Sequence, residues 1–197
     1  PRRAAQLRAA RPDLEVIDIR GNVDTRLGRV RGMTGPEVID GKKGDLDAVV
    51  LAAAGLTRLG RTHTITELLD PSVMLPAPGQ GSLAVECRQA DADADTALSA
   101  ALREYDDEPT RLAVTAERSL LARLEAGCSA PIGALAAVED GKLGLEAVVC
   151  SPDGQRLLRR RLEVAADGME AAVGLGVRLA EALLDDGAAE LTPLAAR

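Results

Sequence analysis

Two arginines lie on either side of a predicted turn, where their type and spacing suit anion binding. Apolar and acidic residues alternate over 14–19, which predicts a strand, and Asn22 is a typical N-cap for the short helix that follows. Arg20 is therefore expected at the end of the strand and Arg26 one turn into the helix. Helix N-termini at strand ends bind anions in open α/β sheets, and the guanidinium fork matches carboxylates and phosphates.

Arg2 and Arg3 add two further cations close in sequence to this turn. Together these arginines indicate a site for a ligand that carries several carboxylates or phosphates. The alternative is a solvated face on which the arginines form scattered surface ion pairs. The spacing of the residues leaves both interpretations open.

A second candidate is Cys128, which follows Gly127 in a predicted loop between a helix and a strand. The position at a helix C-terminus does not favour a thiolate, because the helix dipole is negative there. A thiol hydrolase would need His63, the single histidine, which lies in the other half of the chain. A thiol that serves once, as a covalent attachment point, would need less activation. Cys87 and Cys150 fall in predicted strands and are expected in the core, so no metal site is predicted.

A Pro-rich and Gly-rich stretch over 74–81 ends in Gly79, Gln80 and Gly81. Two glycines allow a backbone to approach a ligand closely or to act as a hinge. A plain loop explains the same composition equally well.

Two patterns of secondary structure must position these residues. Strands predicted at 14–19 and 46–52 are each followed by a short helix, which indicates an α/β layer with parallel strands. A clean alternation over 82–88 predicts another strand. From residue 109 onward, a long helix, three strands separated by Asp-Gly turns and a second long helix predict a small α+β domain with a three-stranded antiparallel sheet.

The composition argues against several functional classes. The net charge of −7 disfavours a general nucleic-acid binder, and one aromatic residue, Tyr105, cannot provide a platform for base stacking. An odd, sparse set of cysteines argues for a reducing compartment. The sequence has no run of about 18 apolar residues that would span a membrane. We therefore expect a cytoplasmic protein that binds neither nucleic acid nor a membrane.

Several motifs, in this order, resemble the porphobilinogen deaminases, also called hydroxymethylbilane synthases. The resemblance covers nearly the whole chain, and the RGN-DTRL, GQG and E-GC–PIG pieces are its specific parts. The matching segments are Arg2-Arg3 with Gln6-Leu7, RGNVDTRL at Arg20–Leu27, DAVVLAAAGLTRLG at Asp47–Gly60, LPAPGQGSLAVECR at Leu75–Arg88, TAERSLLARLEAGCSAPIGA at Thr115–Ala134 and SPDG at Ser151–Gly154.

The resemblance implies a transferase of tetrapyrrole (porphyrin and heme) biosynthesis. The family condenses four porphobilinogen molecules into hydroxymethylbilane with release of ammonia. The reaction is primed by a dipyrromethane cofactor, which a thioether links to a loop cysteine that corresponds to Cys128. Arginines bind the acetate and propionate groups. The match gives Arg2, Arg3, Arg20 and Arg26 as cofactor-binding residues and Arg20, Arg26 and Gln80 as substrate-binding residues, in a protein expected to be a monomer without metal.

The family has three domains, and the first two resemble the lobes of periplasmic binding proteins. The resemblance implies that residues 1–75 are part of the second, α/β domain, that 76–108 form a crossing strand and linker returning to the first domain, and that 109–197 form the C-terminal α+β domain with the cofactor cysteine. The 32–44 loop is longer than the family leads us to expect.

The resemblance implies that most of the first domain, with the family's catalytic aspartate, lies outside this sequence. We therefore expect no catalytic residue here and no activity from the chain by itself. The alternative function is a non-catalytic α/β module that binds a small polyanion.

Overall fold

The computed structural model describes residues 1–33, 44–94, 96–125, 127, 129–192 and 194. Cys128 and most of the predicted loop over 32–44 lie outside the described residues. The elements in chain order are α1 (Arg2–Ala10), α2 (Val23–Leu27), α3 (Ala53–Arg58), a 3-10 turn (Thr62–Thr64), α4 (Gln89–Asp93), α5 (Ala97–Tyr105), α6 (Glu108–Arg123), β1 (Ile132–Glu139), β2 (Lys142–Cys150), β3 (Leu157–Ala165), α7 (Gly168–Asp185) and α8 (Ala188–Leu191).

The chain forms two compact units. Residues 15–70 form one, which we call the 15–70 unit. Residues 1–14 and 71–197 form the other, which we call the sheet unit. None of the helices in the described residues has both the length and the apolar character that crossing a membrane requires.

The 15–70 unit contains two of the predicted short helices. The Asn22 side chain caps α2 by accepting a hydrogen bond of 2.8 Å from the backbone N–H of Thr25, as the sequence predicts. Arg61, at the start of the 3-10 turn, forms an ion pair of 3.1 Å with Asp24 of α2. These contacts fix the first turn of α2.

The parallel strands predicted for 14–19 and 46–52 are wrong. In the described part of this unit, the β pairing outside named strands is one isolated parallel bridge between Val30 and Leu46. A bidentate ion pair between Arg29 and Asp45, with N–O distances of 2.9 and 2.6 Å, supports the bridge. A regular strand needs a ladder of hydrogen bonds to a neighbour, and a single bridge does not provide one.

The sheet unit contains three antiparallel strands in the order β1-β2-β3. Asp140 and Gly141 join β1 to β2 with positive φ angles of 50° and 73°, which is the backbone of the tight hairpin turns that Asp-Gly favours. In this register Ile132 lies opposite Val149. The predicted antiparallel sheet and the long helices before and after it are confirmed.

The main core lies between one face of the sheet and helices α6 and α7. Leu120 of α6, Leu145 of β2 and Leu179 of α7 are fully buried. Gly176 of α7 faces the backbone of α6, where an added Cβ would collide with the carbonyl oxygen of Ala116. The two helices can therefore cross at backbone contact distance.

A smaller cluster covers the other face of the sheet. Ala5 of α1 and Leu75 are buried against Val148 and Cys150 of β2. Burial raises the pKa of the Cys150 thiol to about 11, and the charge of Arg159 acts in the opposite direction. The prediction that Cys150 belongs to the core is confirmed.

The strand predicted over 82–88 is wrong, because this segment has no regular secondary structure. Leu83 and Val85 are 80% and 70% exposed. Cys87 is exposed as well, so its predicted place in the core is also wrong. Alternation in the sequence indicates which side chains would share a face, but a strand forms only where a neighbouring strand pairs with it.

Candidate functional site

Arg2 and Gln80, which are distant in sequence, meet in the sheet unit. Nη2 of Arg2 donates a hydrogen bond of 3.2 Å to Oε1 of Gln80. The guanidinium is partly buried, and its Nε is a buried donor without an acceptor among the described residues. Burial, and then the neighbouring charge of Arg3, lower the pKa of Arg2. A cation held in this way is suited to binding a carboxylate, which would satisfy the Nε donor.

A buried amide joins α1 to the segment that leads to Gln80. Nε2 of Gln6 donates to the carbonyl oxygen of Leu75 at 3.1 Å, and Oε1 of Gln6 accepts from the N–H of Leu75 at 2.8 Å. Gln6 is 1% exposed. Both backbone groups of Leu75 are satisfied by one side chain, which holds α1 and this segment in a fixed relation.

Glu117 of α6 attaches the same segment to the sheet. Its Oε2 accepts a short hydrogen bond from the N–H of Gly79, and its Oε1 accepts one of 2.7 Å from the N–H of Ala136 in β1. Burial raises the pKa of Glu117, while the two backbone donors act in the opposite direction. Both carboxylate oxygens are thus used to hold backbone groups.

Two further predicted anion ligands, Arg20 and Arg26, lie in the 15–70 unit. Arg26 lies in α2, and its Nε is a second buried donor without an acceptor among the described residues. Arg20 is exposed at the residue before the turn that leads to α2. Arg20 thus precedes α2 and Arg26 lies in its last turn, while the strand expected before the helix is not formed.

The other sequence candidates have simple placements. Arg3 is exposed on α1, and His63 is exposed in the 3-10 turn. Cys128 lies outside the described residues, so the structure does not test a pairing of Cys128 with His63. Within the residues that the structure describes, no three His, Cys, Asp or Glu side chains form a group that could hold a metal ion.

Comparison with known proteins decides which family this chain resembles. Residues 1–96 match the family model described as "Porphobilinogen deaminase, dipyromethane cofactor binding domain", and residues 111–185 match "Porphobilinogen deaminase, C-terminal domain". The chain belongs to the porphobilinogen deaminase family. The sequence-based identification of the family is thus confirmed.

Relatives named porphobilinogen deaminase align with almost the whole chain. The protein of Cutibacterium acnes is 56% identical across 100% of this chain and 61% of its own length. The proteins of Micrococcus luteus and Acidothermus cellulolyticus are each 51% identical, across 94% and 97% of this chain and 55% and 54% of their own lengths. The chain therefore spans between half and two thirds of the length of these deaminases.

The first deaminase model includes all of the predicted arginine ligands and Gln80, whereas the C-terminal model includes Glu117 and Cys128. Sequence reasoning named Gln6 as part of a matching motif without giving it a role, and it did not single out Glu117. A signal was present for Glu117, because it lies on the face of α6 that also carries Ala113 and Leu120. A glutamate in an otherwise apolar helical stripe indicates a buried carboxylate with hydrogen-bond partners.

Proposed function

We propose that this chain is part of an enzyme that condenses four porphobilinogen molecules into hydroxymethylbilane with release of ammonia. The observation that carries the proposal is that Arg2 and Arg26 each keep a buried Nε donor without an acceptor among the described residues. Both arginines occupy positions that the resemblance assigns to ligand carboxylates. Pyrrole acetate and propionate groups would supply the acceptors that these donors need.

The proposed roles follow from the chemistry of each side chain. Arg2, Arg3, Arg20 and Arg26 bind the carboxylates of the dipyrromethane cofactor, and Arg20 and Arg26 with Gln80 also bind those of the substrate. Cys128 holds the cofactor through a thioether, and the bound cofactor supplies the pyrrole end to which new units are joined. Arg2 is partly buried, so less water surrounds its guanidinium, and this strengthens its attraction to a carboxylate.

The same resemblance supports the proposed organisation of the protein. Residues 1–75 would be part of a lobe like those of periplasmic binding proteins, 76–108 a crossing segment and linker, and 109–197 the domain that carries Cys128. We propose a cytoplasmic monomer, and we assign the catalytic carboxylate to no residue of this chain.

The cofactor assignment can be tested by mass spectrometry of the protein as encoded by its gene, purified and denatured. We expect an adduct of dipyrromethane mass on the peptide that contains Cys128, and no adduct in the Cys128→Ser variant. An adduct on another peptide would contradict the assignment. Unmodified thiols, together with reversible binding of porphobilinogen that is not consumed, would favour the non-catalytic binding module.

The arginine assignment can be tested with Arg26→Ala, measured as porphobilinogen consumption. A charge-assisted hydrogen bond contributes about 1.5–3 kcal/mol, so kcat/KM should fall about ten- to hundredfold. Arg178→Ala is the matched control, because the exposed Arg178 on α7 contacts the carbonyl oxygen of Gly174 of its own helix. Equal activities of the two variants would contradict an anion site at Arg26.

A further inference from the structure

We propose that Glu117 is a positioning residue, which orients the guanidinium of Arg2 for its ligand by fixing the loop that carries Gln80. The inference rests on the proposed function of Arg2 as a carboxylate ligand. Glu117 itself touches no ligand in this proposal. It acts through Gly79, Gln80 and Arg2 in turn.

The first step is the attachment of the loop to the edge of the sheet. The N–H of Ala134 in β1 donates to the carbonyl oxygen of Pro76 at 3.0 Å, and the N–H of Ala136 donates to Glu117. The segment that begins at Leu75 therefore follows the edge of β1. A Cβ added at Gly133 would lie 2.8 Å from Cβ of Leu75, so the two backbones approach closely here.

The second step is the contact at the C-terminal end of this segment, where Gly79 meets Glu117. Gly79 has a positive φ of 74°, and its N–H donates to the second oxygen of Glu117. The backbone turns at this point, and Gln80 follows immediately. Glu117 is 5% exposed, so water does not compete strongly for these two hydrogen bonds.

The third step leads from the loop to the cation. Oε1 of Gln80 accepts hydrogen bonds from the N–H of Ala77 and from Nη2 of Arg2, each of 3.2 Å. The amide of Gln80 is thereby folded back onto its own loop and presents one acceptor to Arg2. That contact uses Nη2 of the guanidinium and leaves Nε buried without an acceptor among the described residues.

The position requires a carboxylate of the length of glutamate. Two separate oxygens accept from two backbone N–H groups, and a glutamine has one oxygen and one NH₂ group. In Glu117→Gln one backbone N–H would therefore face another donor. In Glu117→Asp the shorter side chain could not reach both donors at once.

Binding of a dipyrrole carboxylate tests the coupling, measured on the protein as encoded by its gene with Cys128→Ser, so that the ligand binds reversibly. We expect Glu117→Gln to raise the Kd for this ligand about tenfold, because the hydrogen bonds to the charged group of Arg2 are weakened. In the Arg2→Ala background the same substitution should change the Kd less than about twofold, since residues that act as one unit are not additive. Glu104→Gln, at an exposed glutamate of α5, is the control and should leave the Kd unchanged.

Fold-changes that multiply in the double variant would overturn the proposal, because the effect of Glu117 would then not pass through Arg2. An unchanged Kd for the dipyrrole carboxylate in Glu117→Gln would overturn it as well. If Glu117→Gln does not fold, Gln80→Ala replaces it, since Gln80 is exposed at its loop position. The expected results for Gln80→Ala are the same rise in the Kd for the dipyrrole carboxylate and the same lack of additivity with Arg2→Ala.

Hydrogen–deuterium exchange separates this proposal from the proposed function. We expect Glu117→Gln to speed exchange at the amides of Gly79 and Ala136 by about tenfold or more, because both donors lose their carboxylate acceptor. Unchanged exchange at both amides would overturn the proposal that Glu117 fixes the loop. If exchange rises but the unmodified protein does not consume porphobilinogen, the proposed function fails while the attachment of the loop by Glu117 stands.

Discussion

At the scale of single residues, buried polar side chains do more to shape the candidate site than exposed charges. Gln6 is 1% exposed, and its amide satisfies the N–H and the C=O of Leu75. Glu117 is 5% exposed, and its carboxylate accepts from the N–H groups of Gly79 and of Ala136 in β1. Removing such a partner leaves backbone groups buried without water, which costs more than the bond itself contributed.

Gln6→Leu tests this asymmetry. The leucine has a similar size but leaves the N–H and the C=O of Leu75 without partners, at about 1–3 kcal/mol each. We expect a loss of about 2–6 kcal/mol in the free energy of unfolding, measured by urea titration. Gln155→Leu, at an exposed turn position, is the control. Equal losses in the two variants would show that the amide of Gln6 contributes no special stability.

At the scale of elements, the crossing of α6 and α7 depends on one small residue. Gly176 is buried against the backbone of α6, and an added Cβ would also lie 2.7 Å from the backbone nitrogen of Leu120. Gly174 lies on the same helix, but an added Cβ there meets nothing within 4 Å. The two glycines therefore differ in their packing and share their secondary structure.

We expect opposite effects of alanine at these two positions. Gly176→Ala should destabilise the protein by about 1–3 kcal/mol, because the helices must move apart. Gly174→Ala should stabilise it by about 1 kcal/mol, because alanine has the higher helix propensity. Thermal unfolding followed by circular dichroism measures both. Stabilisation by Gly176→Ala would show that the crossing tolerates a wider spacing.

At the scale of the whole molecule, the net charge of −7 reflects an excess of acidic residues over basic ones. Several of these carboxylates accept hydrogen bonds. Hydrogen bonding lowers the pKa of Asp153 in the β2–β3 turn and of Asp186 beside Arg160. A lowered pKa in the folded state adds stability above the unfolded pKa of about 3.9, and this stability is lost as the pH falls through the folded value. Glu117, whose pKa is raised, acts in the opposite direction: the stability it adds is present below its unfolded pKa and is lost as the pH rises through its folded value.

Asp153→Asn tests the acid sensitivity that these aspartates cause. The amide oxygen can still accept from the hydroxyl of Ser151 and the N–H of Gln155, but it does not titrate. We expect the variant to lose less stability than the unmodified protein between pH 7 and pH 3, measured as the shift of the urea midpoint. Asp140→Asn, at the exposed β1–β2 turn, is the control, because it makes the same substitution at another turn aspartate. If the urea midpoints of the variant and of the unmodified protein shift equally between pH 7 and pH 3, Asp153 does not contribute to the acid sensitivity.

The sequence by itself determined the local architecture of the sheet unit and the family. Apolar alternation, Asp-Gly turns and helical stripes are short-range patterns, so β1 to β3, α6 and α7 were predicted correctly. The arginines and Gln80 were found because their types and motifs are visible within a few residues. The roles of these residues remain predictions that the proposed experiments test.

The tertiary structure decided every feature that depends on a distant partner. The alternating segments at 14–19 and 82–88 are not strands, because a strand requires a neighbour that alternation alone does not supply. Gln6 meets Leu75 across 69 residues, and Glu117 meets Gly79 across 38. No local pattern encodes which backbone groups such side chains will satisfy, since the packing of α1 and α6 against the sheet brings them together.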